Sequence, residues 1–357
     1  MLFPQPTRLN KPMHPVLARK KCPGANEEQL HFEPVIKPKV DPADFAPKMR
    51  LLFHVLSAPD SHRMIAEPAV LILGATGRLG RVLVRHFTAA GLPVKALTRA
   101  DLDLARPEGI ATALAGASFD WLVNAAGTTD VDDCERHPRL AHVINAESTH
   151  ELAIACADRG ARMIHISTDY VFGGEGDHLL TEEDAAVPVN EYGASKLAGE
   201  KATLAASADH IVARVSWLFG GEKQSFPDRI VTAGIAGDEV RAVSDKWASP
   251  TYAEDLAGWL LFLVQSGAHR GLIHLCNSGV ASWQEYGQAA LDIAGELGLT
   301  LRTTHVEGHT MHGFDRFIAK RPPYTPLDTT RFAALRGSAP RPWQEALREY
   351  LTARYLR

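Results

Sequence analysis

Residues 70–80 read VLILGATGRLG, four apolar residues that lead directly into a glycine-rich turn. The apolar run has the length and aliphatic character of a strand that is buried on both faces. A helical pattern follows it to about Ala90. Gly74, Gly77 and Gly80 have the spacing GxxGxxG, and glycine at such a turn lets a phosphate approach the start of the helix. This spacing differs from the common GxGxxG fingerprint, and a tight turn without a ligand is the alternative. We predict the first βα unit of a nucleotide-binding sheet.

Strands and helices continue to alternate after this unit. An alternation of this kind predicts βαβ units, and the right-handed crossover rule places helices on both faces of a parallel sheet. The predicted fold class is therefore α/β, a doubly wound, Rossmann-like parallel sheet. The further strands are expected at 93–97, 121–124, 162–167 and 211–216, with helices at 107–115, at 140–159 and from about Tyr192.

The second half of the chain is less regular. Turn-rich pieces separate four predicted helices, which we expect to form a smaller substrate lobe over the carboxyl edge of the sheet. We therefore predict one reductase unit over residues 64–357, with a cofactor-binding part at about 64–220 and a lobe mostly at about 221–357. The four helices are predicted at 228–236, 254–265, 283–298 and 342–354.

Residues 1–63 differ in composition from the rest. They are rich in proline, carry short basic clusters and contain few apolar residues, so we predict a disordered segment. Met64 stands a few residues before the first strand. The segment is thus either a mobile extension or the product of an upstream start.

Composition sets wider limits on the class of protein. The chain has 357 residues, 45% of them hydrophobic, and a formal net charge of −4, which gives no general attraction to nucleic acid or acidic membranes. Its four cysteines are scattered and form no CxxC pair, as is typical of a reducing compartment. We expect a cytoplasmic protein that binds neither nucleic acid nor membrane and is a monomer or a homodimer.

Residues 190–200 read NEYGASKLAGE and carry the predicted chemistry. Tyr192 and Lys196 are four residues apart at the start of a helix, so both side chains lie on one face. An ammonium group beside a phenol is expected to lower the pKa of the phenol, which can then protonate a substrate oxygen. A carbonyl that is reduced by hydride needs such an acid. The YxxxK pattern alone is common, and an exposed helix start is the alternative.

The second predicted strand ends in LTRA at 97–100, without a carboxylate at its tip. Arg99, with Arg78, is a candidate to pair with the 2′-phosphate of a dinucleotide. Asp101 or Asp103 could instead reach a ribose hydroxyl. These residues favour NADPH over NADH, and NADH stays an alternative.

Four further stretches make the pattern specific. They are NAAG at 124–127, HISTDYVF at 165–172, RVSWLFG at 214–220 and KRPPYTPLD at 320–328. In this order, and together with residues 188–201, they resemble the extended short-chain dehydrogenases/reductases, and among these the dTDP-4-dehydrorhamnose reductase family. The resemblance extends from about Val70 to Leu351.

The resemblance implies a catalytic triad of Thr168, Tyr192 and Lys196. Tyr192 would donate the proton, Lys196 would hold the nicotinamide ribose and lower the pKa of the tyrosine, and Thr168 would orient the carbonyl. Asn145 would support a water molecule beside the lysine. The residues implied on the sugar side are Thr168, Asp169, Tyr170, Trp217 and Arg321. The predicted cofactor-binding residues are Gly74, Thr76, Gly77, Arg78, Leu79, Gly80, Arg99, Asp103, Leu104, Asn124, Ala125, Ala126, Asn145, Ser167, Tyr192 and Lys196.

The implied reaction is hydride transfer to the 4-keto group of a dTDP-linked 6-deoxy-hexulose, which yields dTDP-L-rhamnose for cell-surface polysaccharide. Two alternatives stay open. One is a different nucleotide-sugar enzyme, an epimerase or a dehydratase. The other is a regulatory subunit like that of methionine adenosyltransferase, which shares several of these motifs.

The substrate side departs from the family pattern. The family's DQxGxPT reads DKWASPT at 245–251, so Lys246 and Trp247 add charge and bulk. The serine of the family's RPxxSxLD is Thr325. The sugar or the base is therefore less certain than the redox chemistry.

Two questions of metal binding remain. Some members of the family use magnesium, for which no ligands can be assigned here. His305, His309 and His312 form a histidine-rich segment without a helical pattern to align them, and we predict no metal site there.

Overall fold

The computed structural model describes residues 69–313 and 317–356. All of them belong to one unit of the chain, Ile65–Arg357. The predicted extension at residues 1–63 lies outside the described residues. Within the described ranges, no helix is both long and apolar enough to cross a bilayer.

Six parallel strands form the central sheet, in the order β10-β5-β4-β3-β1-β2. The chain runs outward from β1 to β2 and then returns to β3 on the other side of β1. The switch point, where parallel sheets of this kind bind ligands, therefore lies between β1 and β3. The strands are β1 (Val70–Leu73), β2 (Val94–Leu97), β3 (Trp121–Asn124), β4 (Arg162–Thr168), β5 (Ile211–Val215) and β10 (Gly271–His274).

Helices cover both faces of this sheet, as predicted. Val70 and Ile72 of β1 join one apolar cluster, whereas Leu71 and Leu73 join another, because successive side chains of a strand point to opposite faces. The first face is covered by α1 (Arg78–Ala89) and α8 (Ala253–Ser266), and the second by α2 (Ile110–Leu114) and α5 (Ser148–Ala157). The doubly wound fold class is confirmed.

The single helix expected at 140–159 is interrupted. The structure has α3 (Val131–Arg136), α4 (Pro138–His142), a π-helical turn (Val143–Glu147) and then α5. A π turn inserts one extra residue into a helix and often occurs at functional positions. Here it contains the predicted site residue Asn145, which is buried.

Helix α6 (Glu191–Ala206) begins where the sequence places it. The side chain of Asn190 accepts a hydrogen bond from Gly193 N at 2.8 Å, which satisfies one of the free amides of the first turn. The same amide group donates to Lys320 O at 2.7 Å. The cap therefore fixes both the start of α6 and the segment that precedes Arg321.

The second half of the chain forms an aromatic core of its own. Phe219, Tyr252, Tyr286, Trp343 and Tyr350 are buried there. The helices that pack into it are α7 (Phe226–Ala236), α9 (Trp283–Glu296) and α11 (Trp343–Tyr355). Phe332 of α10 (Thr330–Arg336) packs instead in the core of the sheet. Short strands pair β6 (Leu218–Phe219) with β9 (Thr251–Tyr252), β7 (Arg241–Val243) with β12 (Glu307–His309), and β8 (Trp247–Ala248) with β11 (Ala281–Ser282).

Strand β10 was not predicted from the sequence. It pairs with β5, and α8 before it covers the sheet, so residues 253–274 complete the sheet layer. The chain therefore returns to the sheet after leaving it. A boundary near residue 220 separates most, but not all, of the two parts.

The turn after β1 gives a first testable prediction. A Cβ atom at Gly80 would lie 2.1 Å from Gly74 O and 2.7 Å from Gly74 C, both backbone atoms, so Gly80→Ala must displace the loop. We expect a loss of about 1–3 kcal/mol in the free energy of unfolding, measured by denaturant titration. Gly109→Ala is the control, because Gly109 has a helical φ of −88° and nothing within 4 Å of its Cβ position. Equal stability of the two variants would contradict this role for Gly80.

Candidate active site

Tyr192 and Lys196 lie on the buried face of α6, one turn apart. Their exposed fractions are 8% and 4%, so the alternative of an exposed helix start is wrong. The ring of Tyr192 meets that of Tyr170 edge-on, with centroids 5.6 Å apart. This contact joins the first turn of α6 to the end of β4.

The ammonium group of Lys196 is held by β4. Nζ donates to Ile166 O at 2.7 Å and lies 3.0 Å from His165 Nε2. Burial lowers the pKa of Lys196 to about 8, and the negative charge of Glu200 opposes that shift. An ammonium has three N–H donors, so one remains for a ligand.

Lys196 was expected from the sequence to lower the pKa of Tyr192, and the structure contradicts this expectation. Burial raises the pKa of Tyr192, and a hydrogen bond from the Thr168 side chain offsets this only in part. The charge of Lys196 is instead directed to His165 and to a backbone carbonyl. Tyr192 is thus a protonated phenol at neutral pH.

Thr168 ends β4 beside Tyr192. Its hydroxyl donates to Asp169 Oδ1 at 3.1 Å and accepts a hydrogen bond from Tyr170 N at 3.2 Å. The structure therefore brings together the three side chains of the predicted triad. Their catalytic roles stay a prediction.

Asp169 and Tyr170 follow directly and are buried. Asp169 Oδ2 accepts a hydrogen bond from Thr325 Oγ1 at 2.6 Å, and burial raises the pKa of Asp169. Lys246 is also fully buried, lies 4.7 Å above the ring of Tyr170, and donates to Pro322 O at 2.7 Å. Burial lowers the pKa of Lys246 to about 8, and the charge of Asp169 opposes this shift. The lysine that departs from the family pattern is thus adjacent to the predicted substrate side.

Trp217 is held in an unusual backbone conformation, with a φ of 40°. Its ring lies 5.5 Å from that of Trp283 and 6.2 Å from that of Tyr286. Within the described part of the chain, its buried Nε1 has no hydrogen-bond partner. A strained residue with a free donor is consistent with a ligand-binding position.

Arg321 has a partner that the sequence analysis did not find. Its Nη1 and Nη2 atoms donate to the two carboxylate oxygens of Asp132 at 3.0 and 2.9 Å. Asp132 also accepts hydrogen bonds from Ile318 N and Ala319 N, both at 3.0 Å. The predicted substrate-binding arginine therefore forms a bidentate ion pair with Asp132 of α3.

The glycine loop has the features of a phosphate site. Gly74 has a φ of +83°, and Gly77 is the N-cap of α1 without a side-chain hydrogen bond. No acidic residue lies in the first turn of α1 (which includes Leu79), so its free amides are open to an anion. Thr76 lies in the same loop, next to Gly77. These residues fit a dinucleotide whose phosphates lie at the helix start.

Arg78 does not have the role that the sequence suggested. Its Nη1 donates to Gly220 O and Lys223 O at 2.7 and 2.5 Å, and its Nη2 to Gln224 O at 2.8 Å. These carbonyl oxygens accept hydrogen bonds from both Nη atoms of the guanidinium group, so Arg78 does not fit the role of binding a 2′-phosphate. Arg99 is exposed at the tip of β2 and remains the candidate.

The other predicted cofactor residues divide by what their side chains do. Asp103 is half-buried and caps Ala105 N at 3.0 Å, and Leu104 belongs to the apolar core. Ser167 donates its hydroxyl to Glu200 Oε1 at 2.5 Å. Ala125 and Ala126 follow β3 and face Gly74, because a Cβ at Gly74 would lie 2.8 Å from Ala126 N.

Asn145 uses its amide within the protein. It donates to Thr128 O and Ser195 Oγ, both at 3.0 Å, and accepts a hydrogen bond from Thr128 N at 3.0 Å. Its side chain thus ties the loop after β3 to α6. The predicted water beside Lys196 remains a prediction.

The structure contains no group of three or more metal-binding side chains among residues 69–313 and 317–356. In the histidine-rich segment, His309 Nε2 lies 3.2 Å from Glu307 Oε1.

A buried ion pair between Arg214 and Glu200 supports the site. This pair was not predicted from the sequence. Arg214 of β5 donates to both carboxylate oxygens of Glu200 at 2.9 and 2.7 Å, and both side chains are nearly inaccessible. Arg214 also lies 4.8 Å above the ring of Phe172. The one signal in the sequence is that Glu200 stands four residues after Lys196, on the same helical face.

This ion pair gives a second prediction. Glu200→Gln leaves Arg214 as a buried charge without a counter-charge, and we expect a loss of about 3–5 kcal/mol in the free energy of unfolding. Glu296→Gln removes the same charge from an exposed pair with Arg348 and should leave stability near that of the unmodified protein. Denaturant titrations of both variants test this, and similar losses would show that the burial of Glu200 is unimportant.

Comparison with known proteins agrees with this geometry. The family model described as the RmlD substrate binding domain matches residues 68–356. A dTDP-4-dehydrorhamnose reductase of Mycolicibacterium smegmatis is 37% identical over 286 residues, 80% of this chain and 85% of the relative.

Solved structures of dTDP-4-dehydrorhamnose reductases are also similar to this chain. A dTDP-4-dehydrorhamnose reductase of Clostridium acetobutylicum has a TM-score of 0.75 and 31% identity, over 80% of this chain and 99% of that one. A Bacillus anthracis dTDP-4-dehydrorhamnose reductase in complex with NADP has a TM-score of 0.74 and 28% identity over the same shares. The chain therefore belongs to the family of the RmlD substrate binding domain.

Proposed function

We propose that this chain uses NADPH to reduce the 4-keto group of dTDP-4-dehydro-L-rhamnose, giving dTDP-L-rhamnose. The observation that carries the proposal is the meeting of Tyr192, Lys196 and Thr168 at the carboxyl end of β4. The names and the cofactor of the related reductases support it. A non-catalytic regulatory role would not require these three buried groups to converge.

Tyr192 is the proton donor in this reaction. Burial raises the pKa of its phenol, so the proton is present at neutral pH and moves to the substrate oxygen only as negative charge develops there. Thr168 orients the carbonyl when its hydroxyl, which donates to Asp169 Oδ1 in the structure, turns to donate to the carbonyl oxygen instead. Bound NADPH supplies the hydride that the carbonyl carbon receives. The ketone is thereby reduced to an alcohol, and one C–H and one O–H bond form.

The ammonium group of Lys196 is held in place by β4. Two of its donors are fixed by Ile166 O and His165, so the third has a defined direction toward a ribose hydroxyl.

A second candidate substrate is another nucleotide-linked 4-keto-6-deoxy sugar. The buried charge of Lys246 beside Tyr170 and Asp169 favours it, because these two residues lie on the predicted sugar side. The redox chemistry is the same in both cases. Parallel assays with different nucleotide 4-keto sugars distinguish them.

The reaction itself gives a third prediction. The protein should oxidise NADPH when dTDP-4-dehydro-L-rhamnose is added, and Tyr192→Phe should lower kcat by about 10²–10⁴ because it lacks the acidic hydroxyl. The absorbance of NADPH measures both rates. Binding of NADPH, followed by its fluorescence, should be retained in the variant and shows that the variant is folded. An unmodified protein that is inactive with either cofactor would exclude the proposal, and an active phenylalanine variant would exclude Tyr192 as the acid.

Cofactor choice gives a fourth prediction. Arg99→Ala should raise KM for NADPH by about tenfold to hundredfold and leave KM for NADH unchanged, because a charge-assisted hydrogen bond to the 2′-phosphate is lost. Arg336→Ala, at another exposed arginine, is the control for net charge. Equal changes with both cofactors would refute the assignment of Arg99.

A further inference from the structure

His165 is buried at the centre of the site, and beyond its contact with Lys196 it has no assigned part in the proposed reaction. It lies on β4 directly opposite Asn124 of β3 and is inaccessible to solvent. Its Nδ1 is 3.2 Å from Asn124 Nδ2, and its Nε2 is 3.0 Å from Lys196 Nζ. The imidazole thus connects the end of β3, in the cofactor crevice, to the catalytic lysine.

The ring is uncharged. Burial and the neighbouring charge of Lys196 hold the pKa of His165 well below its usual range. A neutral imidazole has one donor and one acceptor nitrogen, so its two neighbours cannot both donate to it. Which of the two ring nitrogens carries the proton must therefore depend on whether Lys196 is charged.

Two arrangements satisfy the hydrogen bonds between His165 and its two neighbours. If Lys196 is an ammonium it can only donate, so Nε2 accepts and Nδ1–H must find an acceptor, the Oδ1 atom of Asn124. If Lys196 is an uncharged amine it can accept from Nε2–H, and the bare Nδ1 accepts from Asn124 Nδ2. A half-turn of the Asn124 amide interconverts the two, and the first arrangement gives up the hydrogen bond from Ala126 N to Asn124 Oδ1.

Asn124 has the second orientation in the structure and must turn its amide when Lys196 is charged. Its Nδ2 faces His165, and its Oδ1 accepts a hydrogen bond from Ala126 N at 3.2 Å. The charge on Lys196 is therefore linked through two side chains to the loop that follows β3. Space for this link depends on Gly199, since a Cβ there would lie 2.2 Å from Asn145 O and 3.3 Å from His165 Nε2.

Other groups also act on Lys196, from each element packed around it. Glu200 on α6 and Cys134 on α3 raise its pKa. Arg214 on β5 is paired with Glu200, and Tyr192 shares the helical face of the lysine. His165 is the group on β4 whose side chain contacts Nζ.

We propose that His165 is a positioning residue for the reduction: its ring proton shifts from Nδ1 to Nε2 when Lys196 loses its charge, and its lone pair sustains that charge. The role in catalysis rests on the proposed function, whereas the proton arrangement does not. A hydrogen bond to an ammonium is roughly twice as strong as one between neutral groups. Loss of the ring therefore disfavours the charged lysine more than the neutral one.

The first test is the pH dependence of kcat/KM. The unmodified protein should lose activity above about pH 8, as Lys196 loses its proton. His165→Leu should move this alkaline limb to lower pH by about one unit. His165→Gln should restore it, because a glutamine amide can place an oxygen or an NH₂ group near the position of Nε2. A purely structural role would lower Tm in both variants without moving the limb, and that outcome, or an unmoved limb in His165→Leu, would overturn the proposal.

The second test needs no turnover. Two-bond proton–nitrogen NMR spectra of ¹⁵N-histidine-labelled protein report which ring nitrogen carries the proton, and the His165→Gln spectrum identifies the signal. We expect Nδ1–H at pH 6.5 and Nε2–H at pH 9.5 in the unmodified protein, and one tautomer throughout in Lys196→Met. A charged ring, or one tautomer at both pH values in the unmodified protein, would overturn the proposal. If the sugar assay fails but the tautomer changes, only the proposed substrate is wrong.

Discussion

The buried pair of Glu200 and Arg214 is the constraint on which the site depends. It links α6 to β5, and the hydroxyl of Ser167 joins β4 to the same carboxylate. Charges removed from water need close hydrogen-bonding partners, so the bonds of Arg214 and Ser167 to Glu200 hold these three elements together. Because Lys196 lies one turn before Glu200 on α6, the hydrogen bonds of Glu200 to Arg214 and Ser167 also set the position of Lys196 relative to β4.

The candidate site concentrates charge in a region from which water is largely excluded. Lys196, Lys246 and Asp169 are all buried, and burial opposes the charged form of each. Such an arrangement costs stability, and proteins retain it mainly at functional positions. The neutral Tyr192 and His165 lie among these charges, so small changes in proton position have large electrostatic effects there.

The sequence predicted the parts of the molecule that depend on local pattern. The doubly wound sheet, the glycine turn, the start of α6 and the meeting of Tyr192, Lys196 and Thr168 could all be inferred. What could not be inferred depends on long-range pairing. Asp132 with Arg321, Arg78 with the carbonyls near residue 220, and β10 beside β5 join residues more than fifty positions apart. The raised pKa of Tyr192 was missed for a related reason, since burial is a property of the fold and not of YxxxK spacing.

The position of β10 has a consequence for how the chain is made. During synthesis, β5 emerges from the ribosome well before residues 271–274, and until then it is the open edge of a five-stranded sheet. An unpaired edge that is apolar except for Arg214 is prone to pair with other chains. Helix α8, which immediately precedes β10, covers one face of the sheet. The open edge and this face are therefore both covered only late in translation. The nascent chain is thus most vulnerable to aggregation between the completion of β5 and the arrival of β10.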